Sequence, residues 1–310
     1  MENIKGILVS IIAPMENHIA NGGEKLLGNA SSIKKRNDGK VYVSGQMIRH
    51  VLFSAIERLN QSDENKADTY VSNGDGISNK IEVDLRADMG GFMHPSAGSY
   101  SGRRTAPLTV TPAVATGNKG SDITRDLLVR LKLNETDGTR DQALATREIS
   151  DSDLMLMNFF LDVPALSISK RFSYEGEFHV STDCVKHVTE VERKRRVNLF
   201  LEATQSMTDF ANQARNAVAG EPQKLMIIFD TKLSRKACRY FEASDKEKGN
   251  ILEELKARNA AYFIGDDTEG DKSVYQAYNE AIKFLKDSTL FDPNKGDENI
   301  KIFSEAFTVN

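Results

Sequence analysis

Two stretches of this sequence carry side chains in an order suited to holding an anion. The first is GNASSIKKR followed closely by VYVSGQMIRH. Here Asn29 and its neighbouring glycine let backbone amides approach an anion, and Lys34, Lys35 and Arg36 supply three consecutive cations. Gln46, Arg49 and His50 then fall in the first turn of an expected helix, whose free amides and dipole favour phosphate. Asn17 and His18 begin the same loop. Lysine and arginine at this density add the salt-dependent attraction by which proteins hold nucleic-acid backbones. A solvated basic loop ahead of a capped surface helix accounts for the same residues, and spacing alone does not choose between the two.

The second stretch is Arg193-Lys194-Arg195-Arg196, directly ahead of an expected amphipathic helix. Cations at a helix N-terminus oppose its dipole by about a few tenths of a kcal/mol each, so a run of them asks for an anionic partner. Arg103-Arg104 and Lys170-Arg171 are shorter clusters of the same kind. Phe172, Tyr174 and Phe178 follow the latter pair, and aromatic rings beside cations either stack on bases or pack a hairpin.

Enzyme chemistry has less to build on. The sequence has no P-loop, GxGxxG, HExxH or GxSxG pattern. His179, Cys184 and His187 offer three zinc ligands only if their segment curls back on itself, which a hairpin would prevent. SNGDGISNKIE, from Ser72 to Glu82, lacks the ligand spacing of a calcium loop and reads as a turn. Neither a metal nor a cofactor is expected.

The elements that must position these residues follow from periodicity. Ile4 to Ala13 reads as a buried strand stopping at Pro14, and about 27 residues of polar loop follow, a length that is usually functional. Met47, Val51, Leu52, Ile56 and Leu59 are spaced for a helix with Ser44 as its N-cap. Residues 61–150 are rich in Gly, Ser, Asp and Thr and read as an insertion. Leu154 to Ser169 favours strand, with Pro164 at an edge or bulge, and Phe172 to Val191 alternates like a hairpin. Asn198 to Ala219 is expected to be helical, Leu225 to Asp230 a buried strand, and Ile251 to Ala260 and Ser273 to Asp287 helices. Strand, helix, two central strands, helix, strand is the order of a ferredoxin-like α+β core.

With 310 residues, 28% charged and 39% hydrophobic, the chain can bury a sizeable core. No apolar run approaches the roughly 18 residues of a membrane span, and two cysteines are too few for a disulfide framework, which suits the cytoplasm. The net charge of −4 conceals an asymmetry: residues 242–305 hold 15 Asp/Glu against 9 Lys/Arg, so the remainder is slightly basic.

Taken together, the opening strand, GNASSIKKR, the VYVSGQMIRH helix start, RRTAPLTVTPAVAT at Arg103 to Thr116 and TEVERKRRVNLF at Thr189 to Phe200 resemble the DevR-type backbone subunit of type I CRISPR Cascade complexes. The resemblance spans roughly Ile4 to Glu242. It implies an RRM-like palm (1–60, 151–171 and 197–310, the last with C-terminal helices), a finger insertion (61–150) and a thumb hairpin (172–196). It also implies copies stacked along a guide RNA that pairs with target DNA, in company with other Cascade subunits. On this reading Asn17, His18, Asn29, Lys34, Lys35, Arg36, Gln46, Arg49, His50, Arg103, Arg104, Lys170, Arg171, Arg193, Arg195 and Arg196 face RNA, and Phe172, Tyr174 and Phe178 lie on the thumb. His50 stands where some relatives carry a permanent charge. The protein is expected not to be an enzyme. Two rivals are a target-cutting ribonuclease dependent on Asp38, and a stand-alone RRM-like binder, which the absence of an aromatic-rich RNA-binding strand disfavours.

Overall fold

The computed structural model describes residues 1–18, 22–25, 31–73, 78–95, 101–117, 124–133, 138, 140–211, 217–295 and 299–307. Its strands are β1 (Gly6–His18), β2 (Gly22–Lys25), β3 (Ser31–Ile33), β4 (Tyr42–Val43), β5 (Phe92–Pro95), β6 (Ser101–Arg104), β7 (Leu108–Val110), β8 (Ala113–Ala115), β9 (Thr124–Leu133), β10 (Arg140–Asp162), β11 (Ile168–Glu175), β12 (Phe178–Lys186), β13 (Lys224–Asp230) and β14 (Ala261–Asp266). The helices are α1 (Gly45–Ser62), α2 (Leu85–Gly90), α3 (Glu190–Ala203), α4 (Asp245–Ala257), α5 (Val274–Lys286) and the short α6 (Phe303–Ala306). The chain is an α+β fold.

The main sheet runs β14-β13-β1-β10-β8-β4, with β7 and β9 also paired to β10, and its pairings are antiparallel. Alternation along the central strands divides their side chains between two faces. Ile7, Val9 and Ile11 of β1, with Met157 and Phe159 of β10 and Ile227 of β13, join the large core containing Val51 and Leu52 of α1 and Val197 and Leu201 of α3. Leu8, Phe160, Met226 and Ile228 point the other way and are covered by Ala237, Ile251 and Leu255. Both faces of the central sheet are therefore buried.

Local signals placed several elements well. Ser44 caps α1 by accepting from the Met47 amide at 3.3 Å, and Ile48, Val51, Leu52, Ala55 and Ile56 form its buried stripe. The hydrophobic run at 225–230 is β13.

Elsewhere the structure corrects the reading. β1 continues through Pro14 to His18, because β13 pairs with β1 only as far as Ile12 and proline's missing N–H then costs no ladder bond on that side. Pro164 lies in a 3-10 turn, Val163–Ala165, rather than at a sheet edge. Helix α3 spans Glu190–Ala203, not Asn198–Ala219: Thr189 caps it through the Glu192 amide, with Glu190 and Glu192 in its first turn. Residues 190–196 thus belong to a helix and not to the hairpin, which is β11 with β12. Of the 61–150 stretch, β7 and β8 pair with β10, and Leu85, Met89 and Leu108 join the large core, so much of it is integral to the fold.

Candidate nucleic-acid interface

Lys34, Lys35 and Arg36 are exposed, on a tight turn that leads to β4. Arg36 N donates to the Lys40 carbonyl at 2.9 Å, and Gly39 closes the turn at φ 82°. Asp38 sits at the tip, its carboxylate accepting from the Lys40 amide at 3.1 Å and lying 3.7 Å from Arg36 Nε. Lys40 anchors the far side of the turn to Glu242 at 3.1 Å. The turn therefore presents cations on a backbone closed by its own hydrogen bonds. Asn29, and the side chains of Asn17 and Arg103, lie outside the described residues.

At the start of α1, Gln46 is exposed, but Arg49 turns inward. It donates to the Gly90 carbonyl at the end of α2 and lies over the Phe53 ring, 5.6 Å from the centroid. Arg49 thus supports a carbonyl end of α2 rather than facing solvent. His50 is exposed and 3.8 Å from the Asp209 carboxylate, which also accepts from Ser54 at 2.7 Å and lies 3.8 Å from Arg58.

The hairpin of β11 and β12 forms its own two-stranded sheet. Phe172, Tyr174, Phe178 and Val180 are 53%, 60%, 80% and 55% exposed. Phe172 and Tyr174 make edge contacts with His179, at 5.9 and 5.7 Å, and still keep most of their surface in solvent. Beside them Lys170 is exposed, and Arg171 pairs across the strands with Asp183 at 3.1 Å. Val180 was not among the expected residues, although its place in the alternation of β12 could have identified it. His179, Cys184 and His187 do not converge: His179 bonds Thr182, and both ring nitrogens of buried His187 are engaged, with the Lys301 carbonyl at 2.7 Å and Ser169 Oγ at 2.9 Å. Among the described residues no three His, Cys, Asp or Glu side chains are grouped to hold a metal. The Ser72 to Glu82 segment lies partly outside the described residues.

The remaining expected contacts are corrected by burial or, for the partly buried Arg195, by internal pairing. Arg193 and Arg196 are 1% and 0% exposed, and Arg104 is almost as enclosed. Asp88 of α2, itself fully buried, accepts from Arg104 Nη2 at 2.6 Å and from Arg196 Nη1 at 2.7 Å. Arg196 also donates to the carbonyls of Ile81 and Glu82 and to Glu192. Arg195 ties α3 to Asn60, Asp63 and Thr69 around the end of α1. The anions that the basic run asks for are carboxylates and carbonyls of the protein itself. Burial opposes ionisation of Asp88, but Arg104, Arg196 and Ser167 outweigh it and hold the carboxyl below its ordinary range. His18 is buried opposite Asp151 where β1 and β10 shift register, and burial lowers its pKa despite that carboxylate. An imidazole so enclosed offers nothing to a ligand in solution. Asp88 has no local sequence signal; it is one aspartate among many in a polar stretch.

A family profile described as "CRISPR-associated negative auto-regulator DevR/Csa2" matches residues 17–219, well over half of the chain. No curated protein matches it. Among solved structures, one chain described as "CRISPR RNA-guided surveillance complex" and another as "CRISPR RNA-guided surveillance complex, pre-nicking" each align with a TM-score of 0.53 and 13% identity, over 90% of this chain and 99% of theirs. At that identity the likeness is one of fold.

Proposed function

The chain belongs to the DevR/Csa2 family of CRISPR-associated proteins, and from that membership we propose that it is a non-catalytic backbone subunit of a Cascade-type complex. In this role it binds guide RNA through the phosphates, stacks in several copies along it beside other subunits, and leaves the bases to pair with target DNA. Sequence specificity then resides in base pairing, while the protein grips backbone and shape.

The observation that carries this reading is the hairpin. It holds four exposed apolar side chains next to Lys170 and Arg171 and is separate from the main sheet. Apolar surface held out in solvent on a two-stranded ribbon gains little from its own subunit, so a partner gives it most of its stability. The strand order places β10 and β13 on either side of β1, with α1 and α3 in the two connections, and we read this core as the RRM-like palm. The hairpin is then the thumb, and the 61–150 stretch carries the finger. The stand-alone RRM reading is disfavoured because the sheet face that such binders offer to bases is covered by Ala237, Ile251 and Leu255. The ribonuclease reading is disfavoured because Asp38 caps its own turn beside Arg36.

The test is to replace residues 172–182 with a short glycine linker, keeping the buried feet Ile168, Ser169, Val185 and His187, and to size the protein co-expressed with guide RNA. The variant is expected to fold and remain soluble but to lose multi-copy assembly. Full-length assemblies formed by the variant would refute the thumb assignment.

A further inference from the structure

Between β10 and β11 the chain makes one turn, residues 163–167, and carbonyls of this turn and of the first residue of β11 are held by buried arginines. Arg193 donates to the carbonyls of Val163 and Leu166, and Arg104 to those of Ala165 and Ile168. Within that turn Ser167 adopts φ 58°, a left-handed conformation that a residue bearing a Cβ keeps only when its surroundings enforce it. The enforcement comes from Asp88. Its Oδ1 accepts from the Ser167 amide at 2.8 Å and its Oδ2 from the Ser167 hydroxyl at 2.6 Å. The other foot of the hairpin closes on the same residue, with His187 N donating to the Ser167 carbonyl at 3.0 Å.

We propose that Asp88 is a positioning residue for the hairpin: by clamping Ser167 in its left-handed conformation it fixes the direction in which β11 and β12 leave the core. A carboxylate needed only to neutralise Arg104 and Arg196 has no need of two bonds to a strained serine. Among the described residues β11 and β12 pair as strands only with each other, and the braces from other segments lie near the base: a bridge between Lys186 and Ile300, and Asn294 Nδ2 donating to the Cys184 carbonyl at 2.7 Å. A small change in the backbone of Ser167 is therefore carried along the ribbon to Phe172, Tyr174 and Phe178. Because Asp88 lies in α2 and Arg104 in β6, the direction of the hairpin is also tied to the 61–150 stretch. The functional weight of this device rests on the hairpin being the thumb, but the device itself does not.

The experiment measures the distance between spin labels in the free protein. With Cys184→Ser and Cys238→Ser as background, one pair joins Tyr174→Cys on the hairpin to Tyr275→Cys on α5, and a control pair joins Tyr275→Cys to Lys256→Cys on α4. Ser167→Gly tolerates the left-handed backbone while removing the Cβ and the hydroxyl, with its bonds to Asp88 and from Arg196 Nη1, and it leaves every charge paired; Asp88→Asn is the harsher variant. We expect the hairpin pair to lose its single narrow distance in Ser167→Gly while the control pair and the unfolding midpoint stay as in the parent. A purely structural role would move the midpoint and leave the distance unchanged. An unchanged hairpin distance in Ser167→Gly overturns the proposal, whether or not Asp88→Asn folds. A shifted distance with normal assembly on guide RNA upholds the positioning role and overturns the thumb reading instead.

Discussion

Replacing Arg196 by methionine separates two kinds of cation that look alike in the sequence. The guanidinium is wholly buried and donates to Asp88, Glu192 and the carbonyls of Ile81 and Glu82. Methionine fills a similar volume without charge or donors. Breaking one side of a buried ion pair costs about 3–5 kcal/mol, and each buried carbonyl left without a donor costs about 1–3 kcal/mol. These effects overlap, and Asp88 keeps Arg104 and Ser167, so a total of about 3–4 kcal/mol is reasonable. Against a typical stability of about 5–15 kcal/mol that is a large fraction. At about 2–4 °C per kcal/mol, the unfolding midpoint should drop by about 10 °C. The comparison is Arg36→Met: this side chain is half exposed, and its loss should change stability by no more than about 0.5 kcal/mol. Thermal unfolding of both proteins, together with the salt dependence of guide-RNA binding, decides the matter. If Arg196→Met unfolds within about 2 °C of the parent while its binding loses salt dependence, the arginine faces RNA and the internal assignment is wrong.

Exchanging Lys34, Lys35 and Arg36 together for alanine should flatten the log-log salt dependence of RNA binding by up to about two, three cations at about 0.7 each; an unchanged slope removes this turn from the interface. Purified protein should leave RNA and DNA intact with or without Mg²⁺, and metal-dependent cleavage that disappears in Asp38→Asn would move it to the ribonucleases. Burial, with Arg104 nearby, holds the His187 imidazole below its ordinary range despite its bond to the Lys301 carbonyl. The unfolded chain therefore takes up a proton that the folded chain resists. This contribution to stability is complete above a pH of about 6.5 and declines as pH falls below it. His187→Gln should lose less stability than the parent in urea titrations run at about pH 8 and about pH 5.5, and an equal loss would show that His187 does not carry this dependence.

Whatever depends on neighbours along the chain was legible in the order of the residues. The start of α1 was legible because a serine cap and an apolar stripe act within a few residues, and β13 because a short run of large apolar side chains has few other places to go. The hairpin was legible for the same reason, since alternation is a property of the strand alone, but that Phe172, Tyr174 and Phe178 all stay exposed was not. The turn of Lys34, Lys35 and Arg36 is exposed as its composition suggests. The fate of the other cations depends on contacts between segments far apart in the chain. Arg196 meets Asp88 from 108 positions away, and Arg193 meets the carbonyls of a turn about 30 positions away. A guanidinium is equally suited to a phosphate, a carboxylate or a ring of carbonyls, so its own letter does not say which it will find. Whether it is buried depends on a partner delivered by the fold, because an unpaired charge cannot remain in the interior. Even the frame of α3 turned on this: the basic run could enter the first turns of the helix because Glu190, Glu192 and the distant Asp88 were there to balance it.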